Sequence, residues 1–184
     1  MHKQFYRRKF FYWLTFFPLA FLSISYSQQL IASEQTSGTL DEVNIELTTH
    51  LGDQQVYIDK DNISFFISID RPAYLYAFYK DASGSIYQLM PGMAQKNHFF
   101  STGFYIPFPA KNSAFKFQVQ APFGNETIYI YASDQQQIIF DSLTNNQSLL
   151  QITETIKTIE STVKQASRTL YGHTSLSIKT QEKN

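Results

Sequence analysis

Apolar and polar residues alternate with a period of two through the middle of the chain, as is typical of strands that bury one face. In residues 43–49 (VNIELTT), valine, isoleucine and leucine alternate with polar residues. In residues 63–70 (ISFFISID), every odd-numbered position is isoleucine or phenylalanine. The same pattern predicts further short strands at 55–59, 104–108, 114–120 and 127–133.

Residues 73–80 (AYLYAFYK) are apolar or aromatic on both faces, which predicts a central strand. The DASG sequence at 81–84 ends in glycine, which suits a tight turn, and SIYQLM follows. Residues 73–90 are therefore predicted to form a hairpin. Many short strands separated by turns indicate a mainly β fold, an antiparallel β-sandwich or partly open barrel of about 7–9 strands.

The pattern changes near the C-terminus, where apolar residues recur at spacings of three and four. They are Leu149, Ile152, Ile156, Ile159, Val163, Ala166 and Leu170. This stripe predicts one amphipathic helix at about 146–171, capped by Thr144 or Ser148 and ended by Gly172. We expect it to cover the sheet, although a partner-binding or coiled-coil seam stays an alternative. A last strand is predicted at about 174–180.

The first 27 residues have the three parts of a secretory signal peptide. A basic start runs to Lys9, an apolar stretch follows from 10 to 24, and small residues stand at Ser25 and Ser27. The apolar stretch of roughly 15 residues is shorter than the ~20 that span a bilayer. We therefore predict cleavage after Ser27, with an uncleaved anchor as the alternative.

The signal predicts an exported protein, periplasmic or secreted, that meets the membrane only transiently during export. Arg7 and Arg8 leave a twin-arginine export route open. Residues 28–42 are polar and small, so they are predicted to be a flexible lead-in. Residues 43–184 then form a single β-rich domain.

Charge and cysteine content exclude several classes of protein. The chain has fifteen bases and fifteen acids, but four of the bases lie in the signal, which leaves eleven bases against fifteen acids. This mildly acidic remainder argues against a nucleic-acid partner, which needs a clustered basic face. The chain has no cysteine, so disulfides, thiolate catalysis and zinc–thiolate sites are excluded.

The histidines and acids carry no recognisable catalytic or metal-binding motif. His50, His98 and His173 lie in separate turn-like regions, without the close spacing of a metal site, and are predicted to be surface residues. The acids flank turns, where structural roles are expected; they are Asp53, Asp70, Asp81 and Glu126. No metal, cofactor or enzymatic activity is predicted. A hydrolase built on Glu126 and a turn aspartate is kept as the weakest alternative.

Aromatic residues near the strands are the candidates for ligand contact, because tyrosine combines a flat apolar body with a polar tip. The candidate binding residues are Tyr76, Tyr87, Phe104 and Tyr105. A pocket lined by the first three, with the 91–103 loop, would favour a small ligand or glycan. The alternative is that these residues belong to the core and its margin.

The order of motifs from Gly52 to Thr180 resembles one bacterial family. The chain has GDQQVYI, an aromatic hairpin AYLYAFYKDASGSIYQLMP that ends in Leu-x-Pro, and then STGFYIPFP. A Pro-x-Gly-x-Glu turn follows in FKFQVQAPFGNETIYIYAS, and a helix leads to SLSIKT. These motifs resemble the domain of unknown function numbered 4384.

The resemblance implies an accessory or recognition module, since members of that family occur alone in exported proteins or fused to domains that carry the chemistry. It supplies no catalytic residues. We therefore expect a non-catalytic domain that binds another cell-envelope or secreted protein. The alternative is a β-sandwich that binds a small ligand or glycan.

Pro122, Gly124 and Glu126 are predicted to form a structural latch where the chain enters a strand. Proline fixes the local backbone, and glycine permits a close approach. Glu126 is expected to accept hydrogen bonds from backbone amides of a neighbouring loop. On this interpretation, Glu126→Gln should lower thermal stability.

Overall fold

A computed structural model describes residues 39–92, 95–143 and 149–183. The predicted signal peptide, most of the lead-in and the two helix-capping candidates, Thr144 and Ser148, lie outside the described residues. Within the described ranges the chain forms fourteen strands and one helix. Nine of these strands have three residues or more, so the prediction of a mainly β fold is confirmed.

The elements follow one another closely along the chain. They are β1 (Asp41–Glu42), β2 (Ile45–Thr49), β3 (Val56–Ile58), β4 (Asn62–Ile63), β5 (Phe65–Ile69), β6 (Ala73–Lys80), β7 (Ile86–Met90), β8 (Phe99–Phe100), β9 (Ile106–Phe108), β10 (Phe117–Gln118), β11 (Asn125–Ser133), β12 (Ser142–Leu143), β13 (Leu150–Ile152), α1 (Ile156–Ala166) and β14 (Leu170–Gln181).

The strands form one large sheet and two small ones. The large sheet has the order β1-β14-β11-β6-β7-β13-β12, with β3 also paired to β14 and β8 also paired to β6. A three-stranded sheet has the order β2-β5-β9, and β4 pairs with β10. The pairs are antiparallel except that β1 and β3 run parallel to β14.

The central strand was predicted correctly. β6 pairs with β11 on one side and β7 on the other, and residues 75–78 are fully buried. The β6–β7 hairpin predicted at 73–90 is also present, with a register shift between Ala77 and Phe78. A strand without a polar face is stable only when both of its faces are covered, as they are here.

One hydrophobic cluster lies between the large sheet and the small sheets. The odd-numbered residues of 63–69 enter it, as the alternating pattern predicted, and Phe65 and Ile67 are fully buried. From the large sheet it receives Leu75, Ile128 and Ile130, among others. This cluster is the main core of a sandwich-like arrangement.

A second cluster lies on the opposite face of the large sheet, beneath α1. Tyr76, Phe78 and Tyr131 project from β6 and β11 and pack with Ile159 and Val163 of the helix. The prediction that an apolar helical stripe covers the sheet is confirmed for these two helix residues. Within the described part of the chain, no helix is long and apolar enough to cross a membrane.

The helix is shorter than the predicted 146–171. It begins after Thr155, whose hydroxyl accepts a hydrogen bond from the Thr158 amide, and it ends before Ser167. Upstream, β13 is extended because Ile152 pairs with Ile86 of β7. The three- and four-residue spacing of apolar residues continues past both ends of the helix because β13 and β14 also bury apolar residues. The spacing alone therefore could not locate the ends of the helix.

The final strand is longer than the predicted 174–180, and Gly172 lies within it instead of ending the helix. A side chain at Gly172 would overlap the Val43 carbonyl oxygen, so glycine permits the close approach of the two segments. The end of the predicted flexible lead-in is also ordered, because β1 pairs with Leu170 and Tyr171.

Candidate functional site

Glu126 is the second residue of β11, and its side chain points into the main core. Only 2% of its surface is exposed. The Thr180 hydroxyl donates a hydrogen bond to its Oε1 at 2.8 Å, and Tyr79 lies close enough to the same carboxyl group to affect its pKa. Glu126 therefore links β11 to β14 through a side-chain hydrogen bond and lies beside Tyr79 of β6, on the other side of β11.

The turn before Glu126 is tied to the same threonine. The Gly124 amide donates to the Thr180 hydroxyl at 3.0 Å, and the Thr180 amide donates to the Gly124 carbonyl at 2.8 Å. Gly124 has a φ of +152°, and a Cβ at this position would lie 3.1 Å from the Ala82 Cβ, so a side chain would be both strained and crowded. The Ala121–Pro122 peptide bond is cis.

The partners of the predicted latch differ from those expected. We predicted that Glu126 would accept backbone amide hydrogen bonds from a neighbouring loop. Its hydrogen-bond partner is instead the side-chain hydroxyl of Thr180, and the backbone hydrogen bonds belong to Gly124. The stabilising role of Glu126 stays a prediction.

Burial dominates the electrostatics of this cluster. Desolvation raises the pKa of Glu126 above its ordinary value, the two hydroxyls partly oppose the shift, and the nearby charge of Asp81 adds to it. Burial also raises the pKa of Tyr79, and the neighbouring Glu126 raises it further. A carboxyl group in these surroundings favours its neutral form.

The hydrolase alternative required Glu126 and a turn aspartate in an open cleft. Glu126 is enclosed, and Asp81 is used in its own turn, where its Oδ1 accepts hydrogen bonds from the Ser83 amide, the Ser83 hydroxyl and the Ser85 amide. This is the side-chain-to-backbone bonding by which aspartate builds turns. The geometry gives the hydrolase alternative no support.

The other turn acids also bond within the fold. Asp70 accepts hydrogen bonds from the backbone and side-chain amides of Asn44, at 2.9 and 2.6 Å. The side-chain bond is the main cause that lowers the pKa of Asp70. Asp53 accepts a hydrogen bond from the Thr48 hydroxyl at 2.8 Å. Both carboxylates therefore have a structural use.

The four aromatic candidates do not form one pocket. Tyr76 is completely buried on the face of the sheet that carries α1, where its ring packs against His98 and Phe140, its hydroxyl donates to the Gln135 carbonyl at 2.7 Å and burial raises its pKa to about 12. Tyr87 faces the other side of the sheet and stacks on Tyr79 with ring centroids 6.3 Å apart. Tyr76, Tyr87 and Phe104 therefore do not line the common pocket that would have favoured a small ligand or glycan.

Phe104 and Tyr105 are instead surface residues just before β9. Phe104 is 73% exposed and Tyr105 is 61% exposed. The Tyr105 hydroxyl donates to the Glu46 carboxylate at 3.3 Å, and the next residue, Ile106, pairs with Ile67 of β5. The exposed pair is thus held close to a fixed strand.

Phe99, the first residue of β8, is a third exposed aromatic shortly before Phe104 in the chain, and the sequence reasoning missed it. It pairs with Tyr74 through β8, and the two rings lie 4.9 Å apart. The dipeptide Phe99-Phe100 could have indicated this exposure from the sequence. Adjacent residues of a strand face opposite sides, so one of two neighbouring phenylalanines tends to face solvent. We call Phe99, Phe104 and Tyr105 the aromatic connection.

The histidines differ partly from expectation. His98 is buried, not at the surface, and its Nε2 lies 3.0 Å from the Gln136 carbonyl oxygen. His173 is exposed and stacks on Tyr131 and Tyr171. Among the described residues, no group of three or more His, Cys, Asp or Glu side chains is placed to hold a metal ion.

Residues 55–136 match the family model described as Domain of unknown function (DUF4384). This matched region belongs to the DUF4384 domain family. No curated protein and no solved structure matches the chain.

The DUF4384 match runs from just before β3 to just after β11 and includes every candidate binding and latch residue. It is shorter than the resemblance from Gly52 to Thr180, since α1 and β14 lie beyond it. Thr180, which hydrogen bonds to Glu126, therefore lies outside the matched region. The latch therefore joins the matched region to the C-terminal strand.

Proposed function

We propose that this protein is a non-catalytic, exported accessory domain that recognises another cell-envelope or secreted protein. The observation that carries the proposal is the exposure of Phe104 and Tyr105 on a connection anchored to the sandwich. Large aromatic side chains are enriched at protein interfaces because they bury much apolar area at little entropic cost. Their exposure in the free protein costs free energy that a partner would recover.

The structural roles of the acidic residues support a non-catalytic function. Glu126, Asp81, Asp70 and Asp53 each accept hydrogen bonds that hold the fold together. A catalytic carboxylate must instead reach a substrate. The proposal of export is supported by the signal-like sequence of residues 1–27. This segment has a basic start, a short apolar stretch and small residues before the predicted cleavage point.

The test is affinity capture with the exported protein from envelope and culture-medium extracts of the bacterium that carries it. We expect one specific partner protein. The double variant Phe104→Ser, Tyr105→Ser should reduce its capture about tenfold or more, because central aromatic contacts dominate interface energy.

Leu51→Ser provides the matched control, because Leu51 is also a large exposed apolar residue, at 58%, but lies outside the aromatic connection. The control should capture the partner as the unaltered protein does. Recovery of no specific partner, or equal capture by the double variant, would refute the proposal.

A further inference from the structure

We propose that an open groove beside Tyr129 binds an acidic saccharide. The groove has a volume of about 650 Å³ and lies between the turn after β6, strand β13 and the start of α1. Its lining includes Lys80, Ser83, Tyr129, Thr153 and Lys157. None of these residues belongs to the aromatic connection, so this site is separate from the proposed protein-binding surface.

Tyr129 supplies the aromatic surface of the groove. It lies on β11 opposite Phe78 of β6 and Ser175 of β14, on the face of the sheet that also carries α1. The helix packs on this face through Ile159 and Val163, while Tyr129 stays partly exposed and lines the groove. A flat aromatic ring with a polar tip suits a sugar ring, which has an apolar C–H face and a polar edge.

The rim of the groove carries hydroxyl groups in fixed positions. The Ser83 hydroxyl donates to Asp81 at 2.6 Å and lies 3.1 Å from the Ser85 hydroxyl. Thr153 is held on the opposite side, because its hydroxyl and its amide both donate to the Asp141 carbonyl. Such hydroxyls both donate and accept hydrogen bonds, as the hydroxyls of a saccharide require.

The charge of the groove favours an acidic ligand. Lys80 and Lys157 both line it, and neither forms an ion pair with any residue that the structure describes. Glu154 is the acidic residue of the lining, and its Oε1 already accepts a 2.6 Å hydrogen bond from the Asp141 amide. Two lysines against one acid give the lining an excess of positive charge, which attracts carboxylates.

An acidic peptide shares the carboxylates but not the ring faces and hydroxyls of a saccharide. Three probes therefore separate the contributions: trigalacturonic acid has rings and charge, maltotriose has rings alone, and triglutamate has charge alone. Each is titrated into the exported protein, and binding is followed by amide chemical shifts. We expect trigalacturonic acid to shift Ser83, Ser85, Tyr129 and Thr153 with a Kd of about 0.1–1 mM, and the other probes to bind about tenfold more weakly.

Two variants test the charge. Lys80→Gln with Lys157→Gln should weaken trigalacturonic acid about tenfold, since both cations are removed. Lys179→Gln is the matched control, because Lys179 is an exposed lysine on the same face of the sheet but outside the lining; it should leave the affinity unchanged. The inference is overturned if trigalacturonic acid causes no shifts in the groove at about 10 mM, or if either of the other probes binds as tightly. It is also overturned if the double variant binds like the control.

Discussion

At the scale of single residues, Glu126 is a carboxyl group that accepts a hydrogen bond from the Thr180 hydroxyl, lies beside Tyr79 and is shielded from water. Removing water from a carboxylate costs free energy unless hydrogen bonds replace it fully. Here the Thr180 and Tyr79 hydroxyls only partly offset desolvation, so the pKa of Glu126 in the folded protein is raised above its ordinary value of 4.5. The folded state therefore holds a proton on Glu126 that the unfolded chain releases more readily.

The sign of the resulting pH dependence follows from linkage. A carboxyl group whose pKa is raised on folding contributes stability that is fully present below the unfolded pKa and is lost as pH rises through the folded pKa. We predict that the stability advantage of the unaltered protein over Glu126→Gln is largest near and below pH 4.5 and shrinks as pH rises. Melting temperatures of the two proteins, measured over a pH series, give this difference.

The burial of Glu126 thus changes the expectation from sequence, which predicted a lower melting temperature for Glu126→Gln without regard to pH. Glu182→Gln serves as the control, because Glu182 is exposed near the C-terminus and should keep the pH dependence of the unaltered protein. A difference between the unaltered protein and Glu126→Gln that is constant from pH 4 to 8, or that grows as pH rises, would show the linkage argument to be wrong.

The sequence predicted where Glu126 lies but not what it contacts. Its place after a Pro-x-Gly turn and its structural interpretation came from local residues. Thr180 is 54 positions away, so the contact depends on the pairing of β11 with β14, which no local pattern specifies. Contacts between distant strands are fixed by register, and register is set by the whole sheet.

At the scale of elements, α1 is held by two fully buried side chains, Ile159 and Val163. Its threonines have low helix propensity, so packing against the sheet must hold it. We predict that Val163→Ala lowers the free energy of unfolding by about 1.5–3 kcal/mol, because two buried methyl groups are lost and a cavity is left. Urea unfolding monitored by circular dichroism measures the change.

Ser161→Ala is the matched control on the same helix. Ser161 is exposed, and alanine has the higher helix propensity, so the free energy of unfolding should be unchanged or slightly higher. If Val163→Ala is as stable as this control, the helix does not depend on its contact with the sheet.

Strands with strict alternation were easier to predict than the helix boundaries. Residues 63–69 keep one period throughout and bury one face, so β5 could be placed directly from the sequence. Around 149–170, a short strand, a helix and a long strand each bury apolar residues. Together these residues have the same spacing as the apolar stripe of one continuous helix. A spacing of three or four fits both a helix and the junction of a helix with a strand, so spacing did not separate them.

At the scale of the whole molecule, the packing of the helix and the small sheets on the large sheet determines which aromatic side chains are accessible to a partner. Tyr76 and Tyr87 lie on opposite faces of the large sheet, so Tyr76 is buried in the cluster that also contains α1 residues and Tyr87 lies on the side of the main core, against Tyr79. Sequence identified tyrosine-rich strands but could not assign each ring to a layer. Phe104 and Tyr105 are outside both clusters and are the candidates that the fold leaves accessible.

The proposed export of the full chain can be tested independently of any partner. We predict that the exported protein begins at Gln28, because the small residues Ser25 and Ser27 form the expected cleavage motif. N-terminal sequencing of the protein from periplasmic and medium fractions identifies this residue. Retention of the full-length chain in the cytoplasm would contradict both the predicted signal peptide and the proposed location in the cell envelope or medium.

The central claim is that this protein recognises another protein through the aromatic connection. The most direct measurement places a photoreactive benzophenone amino acid at Phe104 or, separately, at Leu51 and irradiates the living bacterium. Both residues are exposed, at 73% and 58%, so chance collisions should affect them similarly. Our account predicts a specific adduct with one envelope or secreted protein from position 104 alone. No adduct at position 104, or the same adducts from both positions, would contradict it.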